Sequence, residues 1–73
     1  MPVHEPVPQL AQALRAAREA KGFSQVKLSQ RSGVALSFIN ELENCRRDTT
    51  THTLLRLTRA LGTTISDLFR DIR

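Results

Sequence analysis

Residues 22–44 read GFSQVKLSQRSGVALSFINELEN, and the fold turns on how this stretch divides. Gly33 splits it in two. Ahead of the glycine, Ser24 is a residue type that caps helix starts. Gln25 to Arg31 then predicts a short helix, with Val26, Leu28 and Ser29 as a limited apolar side. Beyond the glycine, Leu36 to Asn44 predicts a second short helix. Its Phe38, Ile39 and Leu42 fall on one side and form a buried stripe. The side opposite that stripe carries Ala35, Leu36, Ser37, Asn40, Glu41 and Asn44. Two short helices joined across a tight glycine-containing turn form a recognised structural unit.

Working outward, the same periodicity continues on both flanks. Upstream, Leu10, Ala13, Leu14 and Ala17 recur at three- and four-residue steps, and Gly22 ends that helix. Pro2, Pro6 and Pro8 make residues 1–8 a poor helix, so a flexible arm is expected there and one domain over 9–73. Downstream, Arg46 to Thr51 is polar and reads as a loop. One of Thr49, Thr50 and Thr51 should cap a fourth helix whose inner face is Leu54, Leu57, Thr58 and Leu61. Gly62 ends it. A fifth helix follows from about Thr64, carrying Ile65, Leu68, Phe69 and Ile72. With no strand alternation anywhere, the fold class is all-α, a five-helix bundle.

Bulk properties narrow the function classes. At 73 residues the chain is a single domain with a small core. Net charge is +4, and nine of the eleven basic residues are arginine. That excess suits a phosphate-bearing partner, and arginine suits bidentate contact with phosphates and base edges. A coding bias would give the same composition, so charge alone leaves the partner open. No apolar run is long enough for a membrane helix, and the start has no signal-peptide pattern, which predicts a cytoplasmic protein. Cys45 is the one cysteine and has no internal disulfide partner. His4 and His52 stand isolated, the carboxylates show no paired spacing, and no phosphate-cradling glycine loop occurs. No catalysis, cofactor or metal is therefore expected.

The series Leu14-Arg15, Arg18, Gly22-Phe23-Ser24-Gln25, Leu28-Ser29, Gly33-Val34, Ile39 and Leu42-Glu43 continues through Thr53-Leu54-Leu55-Arg56-Leu57 and Ala60-Leu61-Gly62 to Leu68. It resembles the phage repressor and Cro family of helix-turn-helix proteins, the xenobiotic-response-element type. The resemblance covers most of the chain. It implies a lambda-repressor-like DNA-binding domain whose third helix lies in the major groove. By position it implies base contacts from Leu36, Ser37 and Glu41, with Ala35 and Asn40 beside them. Leu36 either meets a thymine methyl or leans onto Phe38. Glu41 either accepts from a cytosine amine or stays solvated. Gln25 is implied to hold a backbone phosphate and brace the third helix. Lys27, Arg31, Asn44, Arg46 and Arg47 are further phosphate candidates, best placed at Arg46 and Arg47. Arg18 and Glu43 are implied to form an ion pair that orients the reader helix.

Several positions depart from the family pattern. Ser29 and Thr58 stand where alanine is usual, and serine there can bond back to a helix carbonyl. Thr49 stands for a frequent proline. Cys45 stands for a usual glycine, so either Cys45 adopts a left-handed backbone or Asn44 does so in its place. A redox role for Cys45 competes with that of an inert small residue.

On the last helix, Ile65, Leu68, Phe69 and Ile72 form the expected homodimer stripe. So small a bundle can cover Leu68 and Ile65 from within, but Phe69 and Ile72 are harder to bury and either meet a second copy or close the core. A two-fold dimer would read a pseudo-palindromic operator. The expected function is that of a sequence-specific double-stranded DNA-binding transcriptional regulator, repressor-like or a restriction-modification controller. The alternative is an antitoxin that binds a protein toxin and autoregulates its operon.

Overall fold

The computed structural model describes residues 7–70, and their regular elements are helices: α1 (Pro8–Ala20), α2 (Gln25–Ser32), α3 (Leu36–Glu43), α4 (Thr51–Ala60) and α5 (Ile65–Arg70). The all-α five-helix reading holds. A boundary moves at the front. Pro8, expected in the arm, instead opens α1. The first helical residue needs no N–H donor, and proline's fixed φ already suits the helix. Residues 1–6 of the expected arm, with His4, and residues 71–73, with Ile72, lie outside the described residues.

Hydroxyls start three of the helices. Ser24 Oγ accepts from the Lys27 N–H at 3.0 Å, Thr50 Oγ1 from Thr53 at 3.1 Å, and Thr64 Oγ1 from Asp67 at 3.0 Å. Three of the stops share one geometry as well. After α1 the Phe23 N–H donates to Arg18 O while Gly22 donates to Glu19 O. After α4 Thr63 donates to Thr58 O while Gly62 donates to Arg59 O. After α3 Arg46 donates to Glu41 O while Cys45 donates to Leu42 O. This paired closure requires a left-handed residue at its centre. Cys45 therefore takes φ 57°, and Asn44, the alternative, stays at φ −92°.

The main core joins Leu14, Leu28, Val34, Ile39, Leu42, Leu57 and Leu61. A smaller cluster of Leu10, Leu54 and Leu68 lies beside it, with Ala17 packed against both. Thr58 is fully buried, and its hydroxyl donates back to Leu55 O at 3.1 Å. Phe38 only partly joins the stripe drawn for α3, and Val26 stays outside the core altogether. α3 packs on α1 and α2, whereas α5 packs on α1 and α4. The turn and its following helix are thus held from behind by α1, and the outer side of α3 is left open. No described helix is long and apolar enough to cross a membrane.

Candidate nucleic-acid interface

The turn between α2 and α3 is fixed by three short contacts. Gly33, at φ 74°, donates its N–H to Ser29 O at 2.9 Å. Ser32 Oγ accepts from the Val34 N–H at 3.1 Å, and Ser29 Oγ donates to Val34 O at 2.7 Å. Ser29 thus reaches across the turn. Its partner is the turn carbonyl, not the carbonyl of its own helix that was expected. Alanine could not make this bond, so the departure at Ser29 ties α2 directly to the lead-in of α3.

Behind α3 lies a buried charge cluster. Arg18 grips Glu43 with both arms of its guanidinium, Nε to Oε2 at 2.7 Å and Nη2 to Oε1 at 2.9 Å. Its third nitrogen, Nη1, donates to Phe23 O at 2.7 Å. Gln25 Nε2 donates to the same Oε1 at 3.1 Å, and Arg15 Nε reaches it at 3.5 Å. Burial by itself pushes the Glu43 carboxyl up. The hydrogen bonds from Arg18, Gln25 and Arg15, with the Arg18 charge, outweigh this and hold it below the usual carboxylate range. The hydrogen bond to Glu43 raises Arg18 in turn. The expected orienting pair is therefore present, and it is larger than a pair.

The cluster extends to the surface of α3. Asn40 Nδ2 donates to Gln25 Oε1 at 3.2 Å, and Asn44 Nδ2 donates to Asn40 O at 2.9 Å. Arg15 Nη2 reaches Asn44 Oδ1 at 3.4 Å. Gln25 thereby braces α3, as the resemblance implies. Ala35, Leu36, Ser37, Asn40 and Asn44 are exposed along one side of α3, with Glu41 half-buried at its margin. These are the expected outward residues.

The basic residues divide. Arg46 is exposed in the loop that follows α3. Arg47 lies over the Phe38 ring at 4.7 Å and pairs with Glu41, Nε to Oε1 at 2.9 Å. Two residues expected to meet DNA separately hold each other. Each of the two side chains is 46% exposed, so the contact is weak enough to exchange for another partner. Lys27 and Arg31, expected to clamp phosphates, lie about 100° and 140° around α2 from Val26, the residue beside the outer side of α3. The Arg31 guanidinium sits 6.0 Å over the Phe23 ring instead. Arg31 is thus engaged with Phe23, and neither residue lines the depression between the starts of α2 and α3. Arg15 was not expected at this surface. It sits one turn before Arg18 on α1, and that spacing was the available signal.

At the far side, Leu68 is 5% exposed and packed inside the protomer's own core, so it leaves the expected dimer stripe. Ile65 is partly buried against the same cluster, while Phe69 is 43% exposed.

Comparison with known proteins gives the same picture. A family model described as Helix-turn-helix matches residues 14–68. No curated protein sequence matches the chain. Among solved structures, the restriction-modification controller C.AhdI from Aeromonas hydrophila is 34% identical, with a TM-score of 0.82 over 85% of this chain and 94% of that one. The clp gene regulator ClgR from C. glutamicum is 30% identical, with a TM-score of 0.83 over 94% of this chain and 91% of its own. The controller C.Esp1396I, solved as a tetramer in complex with its natural 35 base-pair operator, has the same fold at 20% identity. Its TM-score is 0.83 over 89% of this chain and 86% of that one. The chain belongs to the helix-turn-helix family of DNA-binding transcription regulators, of the Cro/C1 type.

Proposed function

We propose that this chain binds a pseudo-palindromic operator in double-stranded DNA as a homodimer, with α3 in the major groove, and acts as a repressor or a restriction-modification controller. The observation that carries the reading is the division of α3. One side is locked by Ile39, Leu42 and the Glu43 cluster, and the other presents Leu36, Ser37, Asn40 and Asn44 to the outside. A helix held this way loses little freedom on entering a groove. Ser37 and Asn40 supply hydrogen-bonding groups for base edges. Gln25, Asn44, Arg15, Arg46 and Arg47 flank them and would meet phosphates on either side.

Selection of bound fragments from sheared genomic DNA at near-physiological salt tests the reading. An inverted repeat with half-sites about one helical turn apart is the expected result. The gene beside it then separates restriction control from repression, and a toxin gene there would favour the antitoxin reading. Weak, sequence-blind binding alone would overturn operator recognition and leave a protein-interaction module. Arg46→Ala should weaken all selected sites alike and flatten the dependence of affinity on salt by roughly one unit of slope. Unchanged binding at every salt concentration would remove Arg46 from the contact set.

A further inference from the structure

Val26 is the most exposed large apolar residue of α2, at 49%, and Leu36, which opens α3, is 43% exposed. The two line one shallow depression between the starts of α2 and α3, with Gln25, Ser37 and Asn40 around it. Neither residue helps the core. Leu36 does not lean inward onto Phe38 far enough to be covered, and Val26 lies on the side of α2 that looks past the first turn of α3. The rest of the lining is polar, from Arg18, Ser24, Gln25, Ser37 and Asn40, so the apolar pair is held open inside a polar rim and costs solubility without adding to packing.

We propose that Val26 and Leu36 together form a notch that takes the C5-methyl group of a thymine, and that Val26 is thereby a specificity-determining residue of the interface. This rests on the reading that α3 enters the major groove. On that edge of the duplex the four bases offer donors and acceptors, and a single apolar group, the thymine methyl. Among the base edges of the major groove, an apolar notch with a polar rim matches that of thymine. Ser37 and Asn40 at the rim can each donate to the thymine O4 that lies beside the methyl. The carboxamide of Gln25 is held at the rim by Glu43 and Asn40, with its second N–H left for a phosphate. Val26 comes from α2, so the specificity of this protein would not reside in α3 alone.

The test uses the full chain and the duplexes it selects. Thymines are replaced one at a time by uracil, which removes only the methyl group. At one position in each half-site the wild-type protein should lose about fourfold in affinity, the factor expected from one buried methyl carbon. With Val26→Ser that loss should vanish, and the variant should bind thymine and uracil duplexes equally. Val26→Thr keeps the side-chain shape and replaces one methyl by a hydroxyl, so it should give a smaller penalty and guards against a folding defect. Placing cytosine and then 5-methylcytosine at the same position separates the methyl from the rest of the base. A gain with 5-methylcytosine over cytosine in wild type, absent in Val26→Ser, would support the notch. If uracil is tolerated at every position while selective binding persists, the notch is overturned and the regulator reading stands. A uracil penalty equal in wild type and Val26→Ser would remove Val26 from recognition. Loss of selective DNA binding altogether would overturn the regulator reading itself.

Discussion

Glu43 has no accessible side-chain surface, and its carboxylate accepts from three different residues. A carboxylate so placed is tolerable only while its partners remain, because an unpaired buried charge is strongly unfavourable. Glu43→Ala leaves Arg18 facing an apolar hole and should lower stability by about 3 kcal/mol in denaturant unfolding. Glu43→Gln keeps the shape and some hydrogen bonds and should cost less. Equal losses would mean that packing, not charge, holds this corner. The same group sets an acid limit. The folded carboxyl titrates below its ordinary range, so the unfolded chain takes up the proton first as pH falls. The stabilisation it gives is complete above the ordinary glutamate range, about pH 4.3, and is lost as pH falls from there through the folded value. Denaturation midpoints measured between pH 7 and 3 should therefore drop at the acid end in wild type, and drop less in Glu43→Gln. The identity of this pair was legible from the resemblance. The brace from Gln25 was implied too, and Arg15 was signalled by its place one turn before Arg18. That Arg15, Arg18 and Gln25 all meet on one carboxylate was not, because they come from α1 and α2 onto α3.

The helices themselves were legible because their starts and stops are local. Ser24, one of the three threonines and Thr64 are capping types, and Gly22, Gly33 and Gly62 have positive φ where the periodicity breaks. Pro8 was misplaced since proline marks a helix start as readily as an arm. The end of α3 was ambiguous for a physical reason. Asparagine tolerates the left-handed region better than cysteine, so local preference favours Asn44. The hydrogen-bond register decides otherwise. With Arg46 bonded to Glu41 and Cys45 to Leu42, only position 45 can occupy the centre of the closure. Asn44 has its amide on Asn40 and Arg15 instead. α1 and α4 close in the same way around glycines. Cys45→Gly should therefore relieve backbone strain and raise stability by about 1 kcal/mol, read as a higher denaturation midpoint with an unchanged slope. A fall instead would show that the half-buried thiol packs more favourably than the backbone is strained. DNA affinity should change little in this variant, since no base-facing residue moves.

At the scale of the whole molecule, one protomer offers one reader helix within extents of 34 × 24 × 19 Å. Reading two half-sites about 34 Å apart takes two copies, and their contact must leave α3 free. α5 satisfies that condition, since it packs on α1 and α4 while α3 packs on α1 and α2. The sequence already set Leu68 apart as coverable from within and Phe69 as hard to bury in one copy. That division depends on where α1 and α4 end, and the structure gives Leu68 to the core and leaves Phe69 outside. Phe69 borders a groove with Val7, Leu10, Leu54 and Ile65. An aromatic ring at the mouth of an apolar groove suits a two-fold contact, in which each copy supplies the same patch. Phe69→Ser separates this from mere core closure. If the ring lies at a dimer contact, sedimentation should show the wild type as a dimer and the variant as a monomer. The variant's midpoint should lose the protein-concentration dependence of the wild type. Its binding to a full operator should fall toward its binding to a single half-site. If the ring only closes the core, the variant should unfold more easily while its oligomeric state stays that of wild type, and the two-fold contact must then be sought on another face.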